Sequence, residues 1–352
     1  MTDTSLPRIA KPPHRVLFFG KNMSRSRATG GLVEALRGQG LEVRWMNLAT
    51  HRRWVGRPAA IRNARRAFAR FKPDMVFVFC RDLPFSLLRE FHAEATTVVW
   101  VEEPLQEFPD EYIEYLAEAD AVFITNPSKL AMLRSRGVHH AAFVLEGFSS
   151  TFHYPLGKRS YKRDIAFIGG PGREGKRAEF LASIARHHDL EIFGCHWDEW
   201  RKLHPHLRIH GPVRPRGYRK VCAESRIVLG LNQVNRDSLY FSNRTFLTLA
   251  CGGFHLTHYV PGLERVFRDR EHLCWYRDLD DCIAQIDHYL ARPEDRERIA
   301  VSGRDYVHAE HQFDSRIRYI LHSLRLGRAE GPPWLDTGDA ELGSVVATTG
   351  SE

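Results

Sequence analysis

Apolar positions in the first 150 residues come in short unbroken runs rather than in alternation. Val16-Leu17-Phe18-Phe19 ends at Gly20 and is followed by a polar loop, then by Gly30-Gly31-Leu32-Val33-Glu34-Ala35-Leu36, an order that predicts strand, loop and helix. Further runs lie at 43–48, 75–80, 97–101 and 121–125, each separated from the next by room for a helix. Strands apolar on both faces predict a parallel sheet covered by helices on both sides. The first domain is thus α/β and spans 14–150.

After a polar, turn-rich stretch at 149–163 the alternation restarts. Strands are predicted at 164–170, 190–193, 207–210, 227–231 and 253–257, and helices at 176–187, 216–224, 243–249 and 279–290, with helical residues continuing over 293–326. A second doubly wound domain, 164–326, follows from this, and two such domains would frame a cleft between their strand ends. From Gly327 the chain turns rich in Gly and Pro and poor in apolar residues, which predicts a disordered tail over 327–352.

The length of 352 residues fits two domains. With 43% hydrophobic and 27% charged residues, wholesale disorder and collagen-like architectures are excluded. No run approaches the ~20 apolar residues of a bilayer span, and the first residues lack the apolar centre of a signal peptide, so the chain reads as soluble and cytoplasmic. Six cysteines without a C-x-x-C pair and 19 histidines without H-E-x-x-H predict free thiols and no metal held by the protein.

Net charge is +8, and residues 51–73 alone carry eight basic side chains and no acidic one. Ile61, Ala64, Phe68 and Phe71 recur there at helical spacing while Arg62, Arg65, Arg66 and Arg70 fall on other faces, which predicts an amphipathic helix with a cationic outer side. Such a side is either merely solvated or holds an anionic acceptor or the inner face of a membrane. No helix-turn-helix, RRM, KH or finger signature supports nucleic acid.

Two segments carry candidate chemistry. Gly169, Gly170, Gly172 and Gly175 lie between a strand and a helix, with Arg173, Lys176 and Arg177 among them, a composition that suits a phosphate or simply a strand-to-helix turn. The second runs from Ser242 and Asn243, which can cap a short helix, through Arg244 to Gly252 and Gly253 at its end. Arg244 at a helix start opposes the dipole unless an anion is also present, or unless a carboxylate pairs with it. Glu102 and Glu103, closing a predicted strand, are candidate bases, although Glu102-Glu103-Pro104 also suits a helix start.

The span 164–321 resembles the C-terminal domain of the CgeB-like glycosyltransferases, a group-one type with the GT-B fold. The matching pieces are the Phe167-Ile168-Gly169-Gly170 strand end, the Ile227-to-Asn232 strand, and Asn243-Arg244 with Phe246 running into Ala250-Cys251-Gly252-Gly253. Further matches are Tyr289-Leu290 before Pro293-Glu294, and His311-Gln312-Phe313 with Arg316. The first half matches only in outline. The resemblance implies a nucleotide diphosphate sugar as donor substrate, no cofactor and no metal, and an acceptor addressed by the first domain. It implies that Arg244 meets the donor phosphates, with Arg173, Lys176 or Arg177 as second cation. Gly169, Gly170, Asn232, Ser242, Asn243, Gly252 and Gly253 would line the donor. Many relatives carry Glu directly after the Phe, where this chain has Leu247. A non-catalytic, donor-binding scaffold of the same fold is therefore the rival expectation.

Overall fold

The structure is a computed structural model that describes residues 4–9, 11–21, 27–102, 107–157, 159–172 and 175–335. By internal contacts the chain divides into two units, one of Met1–Lys21, Leu36–Leu145 and Ile317–Glu352, the other of Asn22–Ala35 and Glu146–Arg316.

In chain order the first stretch forms β1 (Thr4–Ser5), β2 (Arg15–Phe19), α1 (Arg27–Gly38), β3 (Glu42–Met46), α2 (Leu48–Phe71) and β4 (Met75–Phe79). It continues with α3 (Phe85–His92), β5 (Thr96–Val101), α4 (Asp110–Glu118), β6 (Ala121–Ile124), α5 (Leu130–Ser135) and β7 (Ala141–Phe143). Strands β2 to β7 make a parallel sheet in the order β3-β2-β4-β5-β6-β7, so the strand order reverses between β2 and β4. Alternate residues serve opposite faces, as the two-residue strand period requires. Leu17, Phe19, Val76, Val78, Val99 and Ile124 join one core with the helices. On the other face Phe18 stacks on Phe77 at 5.5 Å.

The second stretch forms β8 (Arg163–Ile168), α6 (Lys176–Ile184), β9 (Leu190–Phe193), α7 (Asp198–Leu203), β10 (Arg208–His210), α8 (Pro215–Glu224) and β11 (Ser225–Gly230). It ends with α9 (Arg244–Ala250), β12 (His255–His258), β13 (Cys274–Tyr276), α10 (Leu279–Leu290), α11 (Pro293–Glu310), α12 (Phe313–Leu326) and β14 (Arg328–Ala329). The sheet is again parallel, in the order β10-β9-β8-β11-β12-β13. Its order reverses between β8 and β11, the place where an open α/β sheet leaves room for a ligand beyond its carboxyl ends.

Three expectations change. The helical stretch 293–326 is two helices, because the chain breaks at His311, whose backbone N–H still bonds back to Val307. From Ile317 on, α12 counts with the first unit, where Tyr319 meets Phe123 edge-on at 6.3 Å. The expected tail does not begin at Gly327: β14 pairs antiparallel with β1, and Trp334, 5% exposed, packs on Tyr319. Residues 336–352 lie outside the described residues.

Candidate functional site

The carboxyl ends of β8 and β11 bring the predicted residues together. Chain leaving β8 passes through Gly169 and Gly170, where the backbone is held close on two sides. The Gly169 N–H bonds the Phe193 carbonyl at 2.9 Å, and the Trp197 indole donates to the Gly169 carbonyl at 2.9 Å. A Cβ on neighbouring Gly194 would stand 2.0 Å from the Gly169 oxygen. Gly194→Ala is therefore expected to cost roughly 1–3 kcal/mol through overpacking, read as a lower denaturation midpoint.

At this turn two guanidinium groups converge. A Cβ placed on Gly169 would lie 3.4 Å from Arg244 Cζ. Arg177, 8% exposed, donates from Nη1 to the Gly170 carbonyl at 2.9 Å, and its Cζ lies over the Phe167 ring at 5.7 Å. Burial, and after it the charge of Arg244, bring the Arg177 pKa down to about 10. Its buried Nε has no hydrogen-bond acceptor among the described residues. Lys176 is exposed on the first residue of α6, behind Gly175 in left-handed conformation (φ 71°). Arg173 and Glu103 lie outside the described residues.

On the β11 side, Asn232 accepts the Ser242 N–H through Oδ1 at 2.9 Å, and Ser242 Oγ accepts the Arg244 N–H at 3.3 Å. Ser242 thus does the capping, whereas Asn243 is itself in helical conformation and makes no cap bond. The buried Nδ2 of Asn232 has no partner among the described residues, a second donor left unmet. Behind them lies a cavity of about 10 Å³ lined by Asn232, Arg244, Thr245, His255 and Thr257. It is too small for more than a water molecule, so a larger ligand would rest over it rather than in it.

His255 and Tyr218 were not singled out by sequence reasoning. His255 Nδ1 meets the Val228 carbonyl at 2.9 Å, and its Nε2 lies 3.4 Å from Thr245 Oγ1. Burial lowers its pKa to about 4, Arg244 acting the same way, so it stays neutral and adds no charge to the pair of arginines. Tyr218 donates to the Arg244 carbonyl at 3.3 Å and shares a hydrogen with Thr248. A histidine within an apolar strand was the available signal for the first.

Gly252 and Gly253 are not part of this constellation. Helix α9 carries the chain about 10 Å back across the sheet, at 1.5 Å per residue, so the glycines sit at the amino end of β12 while Arg244 stays by the carboxyl ends. There Arg159 donates to the Gly252 carbonyl, and a Cβ on Gly253 would press Thr248 Cγ2 at 3.0 Å. Leu247 is 1% exposed and packs inward.

In the first unit, Arg62, Arg65, Arg66 and Arg70 are all exposed on the outer side of α2, and Arg65 pairs with Glu90 at 2.8 Å. Glu102 follows the carboxyl end of β5. Burial raises its pKa to about 8 against the opposing influence of the Trp100 indole, and its Oε2 has no partner among the described residues. Of the six cysteines, all free, only Cys195 is exposed. Among the described residues no three His, Cys, Asp or Glu side chains gather as a metal cage, and no helix is long and apolar enough to cross a membrane.

The family described as glycosyl transferase-like matches this chain over residues 173–322. No curated protein matches the sequence. Among solved structures, sucrose-phosphate synthase from Thermosynechococcus elongatus superposes with a TM-score of 0.65 at 14% identity, over 89% of this chain and 98% of that one. Anabaena HepE in complex with UDP and glucose gives 0.62 at 10% identity, over 88% and 100%. A glycosyltransferase from Rickettsia africae gives 0.62 at 12%, over 90% and 99%. The likeness is one of fold: two Rossmann-like parallel α/β domains, as in GT-B glycosyltransferases.

Proposed function

We propose that the protein transfers a glycosyl group from a nucleotide diphosphate sugar to an acceptor nucleophile. The observation that carries this reading is the convergence of Arg177 and Arg244 on the Gly169 turn at the strand-order reversal. Two cations in part-buried surroundings repel each other, and a diphosphate between them would turn that cost into attraction. The unmet donors Arg177 Nε and Asn232 Nδ2 add hydrogen bonds that such a ligand would complete. The glycosyl transferase-like family match over this same stretch, and the UDP-glucose held by Anabaena HepE, support the same donor class.

In the reaction the bond from the anomeric carbon to the diphosphate oxygen breaks, and the diphosphate leaves with the electron pair. The acceptor oxygen bonds to that carbon and gives up its proton. Arg244 and Arg177 stabilise the growing charge of the leaving group, with Lys176 in reserve at the start of α6. For the proton we propose Glu102, which with Glu103 is one of the two candidate bases: it directly follows the carboxyl end of β5, and burial raises its pKa to about 8. Arginines meeting the diphosphate would supply charge that a divalent ion supplies elsewhere, and the CgeB-like subgroup fits the motif order around Arg244.

The rival is a scaffold that binds the donor without turnover. Leu247, buried where many relatives have Glu, favours it, since this position offers nothing to a donor hydroxyl. Incubation with a panel of nucleotide sugars decides the matter. Release of nucleoside diphosphate, undiminished by EDTA, is the expected result. Saturable nucleotide binding with no release for any acceptor would favour the scaffold, and no binding would sink both readings.

A further inference from the structure

Residues 52–58 are exposed without interruption. A helix lying on a core buries one residue in every three or four, so this stretch stands off the fold as a knuckle. Its apolar side chains are Trp54, 83% exposed, and Val55, 49% exposed. Arg52, Arg53 and Arg57 flank them. Gly56 (φ 76°, ψ 164°) breaks the helix, and Pro58 stands two residues beyond the break. Past the bend, Arg62, Arg66 and Arg70 recur every four residues, a row of about 12 Å on the side opposite the buried Ala60, Ala64, Ala67 and Phe68.

We propose that this knuckle and arginine row dock the protein on an anionic phospholipid bilayer, with Trp54 and Val55 entering the headgroup boundary and the arginines meeting lipid phosphates. Charge complementarity carries the choice of occupant: eight basic residues and no acid lie between 51 and 73. The pair formed by Arg65 and Glu90 neutralises one of them and leaves the row intact. An indole favours the level of the headgroups, and a neighbouring aliphatic chain gains by leaving water there. Val55 has no such use on nucleic acid, where successive bases need successive rings. This inference does not rest on glycosyl transfer, and its test reads no turnover.

The test is sedimentation with vesicles of phosphatidylcholine alone and of phosphatidylcholine with about a third phosphatidylglycerol, in the presence of single-stranded RNA as competitor. Binding to the anionic vesicles only, not displaced by RNA, is expected. Trp54→Ala should lower the partition about tenfold. Replacing Arg62, Arg66 and Arg70 with Gln should lower it roughly a hundredfold, at about fivefold per charge, while the corresponding Lys variant keeps most of it. All these side chains are exposed, and an unchanged melting curve checks the fold. Absence of binding, equal binding to neutral vesicles, full binding by the Gln variant, or displacement by RNA would each overturn the proposal.

Discussion

Arg244→Ala is expected to lose roughly a hundredfold or more in turnover, about 3 kcal/mol of barrier, while melting at the same temperature as the parent or slightly above it. The two effects have different origins. In the free protein Arg244 adds to what lowers the Arg177 pKa, so its removal relieves a like-charge contact. It also removes a cation from the first turn of α9, where the helix dipole opposes it. During the reaction the same charge faces a leaving group gaining negative charge, and its absence is felt in the transition state alone. Initial rates and thermal unfolding on one preparation separate this from a structural role. An arginine that held the fold would give a mutant that melts lower, with activity falling only in step with the folded fraction. Added nucleoside diphosphate should raise the melting temperature of the parent more than that of the variant, by simple linkage.

Glu102→Gln is expected to cost between about 10²- and 10⁴-fold in kcat/KM and to flatten its pH profile. The carboxyl titrates near 8 in the folded protein instead of 4.5, because burial disfavours its charge. As a base it must be ionised, so the parent's rate should climb through pH 8 and the variant's should not. Stability moves the opposite way. A carboxyl whose pKa rises on folding contributes stability that is complete below 4.5 and is lost as pH rises through 8. The parent should therefore lose stability across that window, and the glutamine variant, neutral throughout, should lack this component. Chemical denaturation at several pH values gives the slope. A variant with parental turnover and only the altered slope would leave Glu102 a half-buried acid with no part in the chemistry.

Much of the fold was legible because parallel strands buried on both faces announce themselves as unbroken apolar runs. The strand 190–193 and the helix 279–290 were read to the residue, the latter helped by Asp278, whose side chain accepts the Asp281 N–H. Strands β7 and β13, three residues each, are too short to stand out from apolar loop sequence. The sequence predicts helical residues over 293–326 as part of the second domain, but nothing in them shows the break at His311 or that Ile317 onward joins the first unit. Arg244 and Arg177 stand out in the sequence by residue type and position beside glycines, and the fold brings both to the Gly169 turn. Gly252 and Gly253 lie at the amino end of β12, away from Arg244, because nearness along the chain hides that α9 carries it back along the strands. Asn243 and Ser242 are equally good caps on paper, and only the backbone conformation of Asn243 separates them.

The pairing of β1 with β14 sets a schedule for synthesis. Thr4 meets Ala329, and Tyr319 on α12 packs against Phe123, so the first unit lacks its final pieces until the whole second stretch has been translated. At ~5–20 residues per second, the roughly 180 residues between Leu145 and β14 take about 10–35 s to emerge. Glu146–Arg316, by contrast, is complete on leaving the ribosome apart from the earlier segment Asn22–Ala35. During that interval Phe123 lacks the Tyr319 ring that meets it edge-on in the folded chain, so the first unit is the later of the two to close its core.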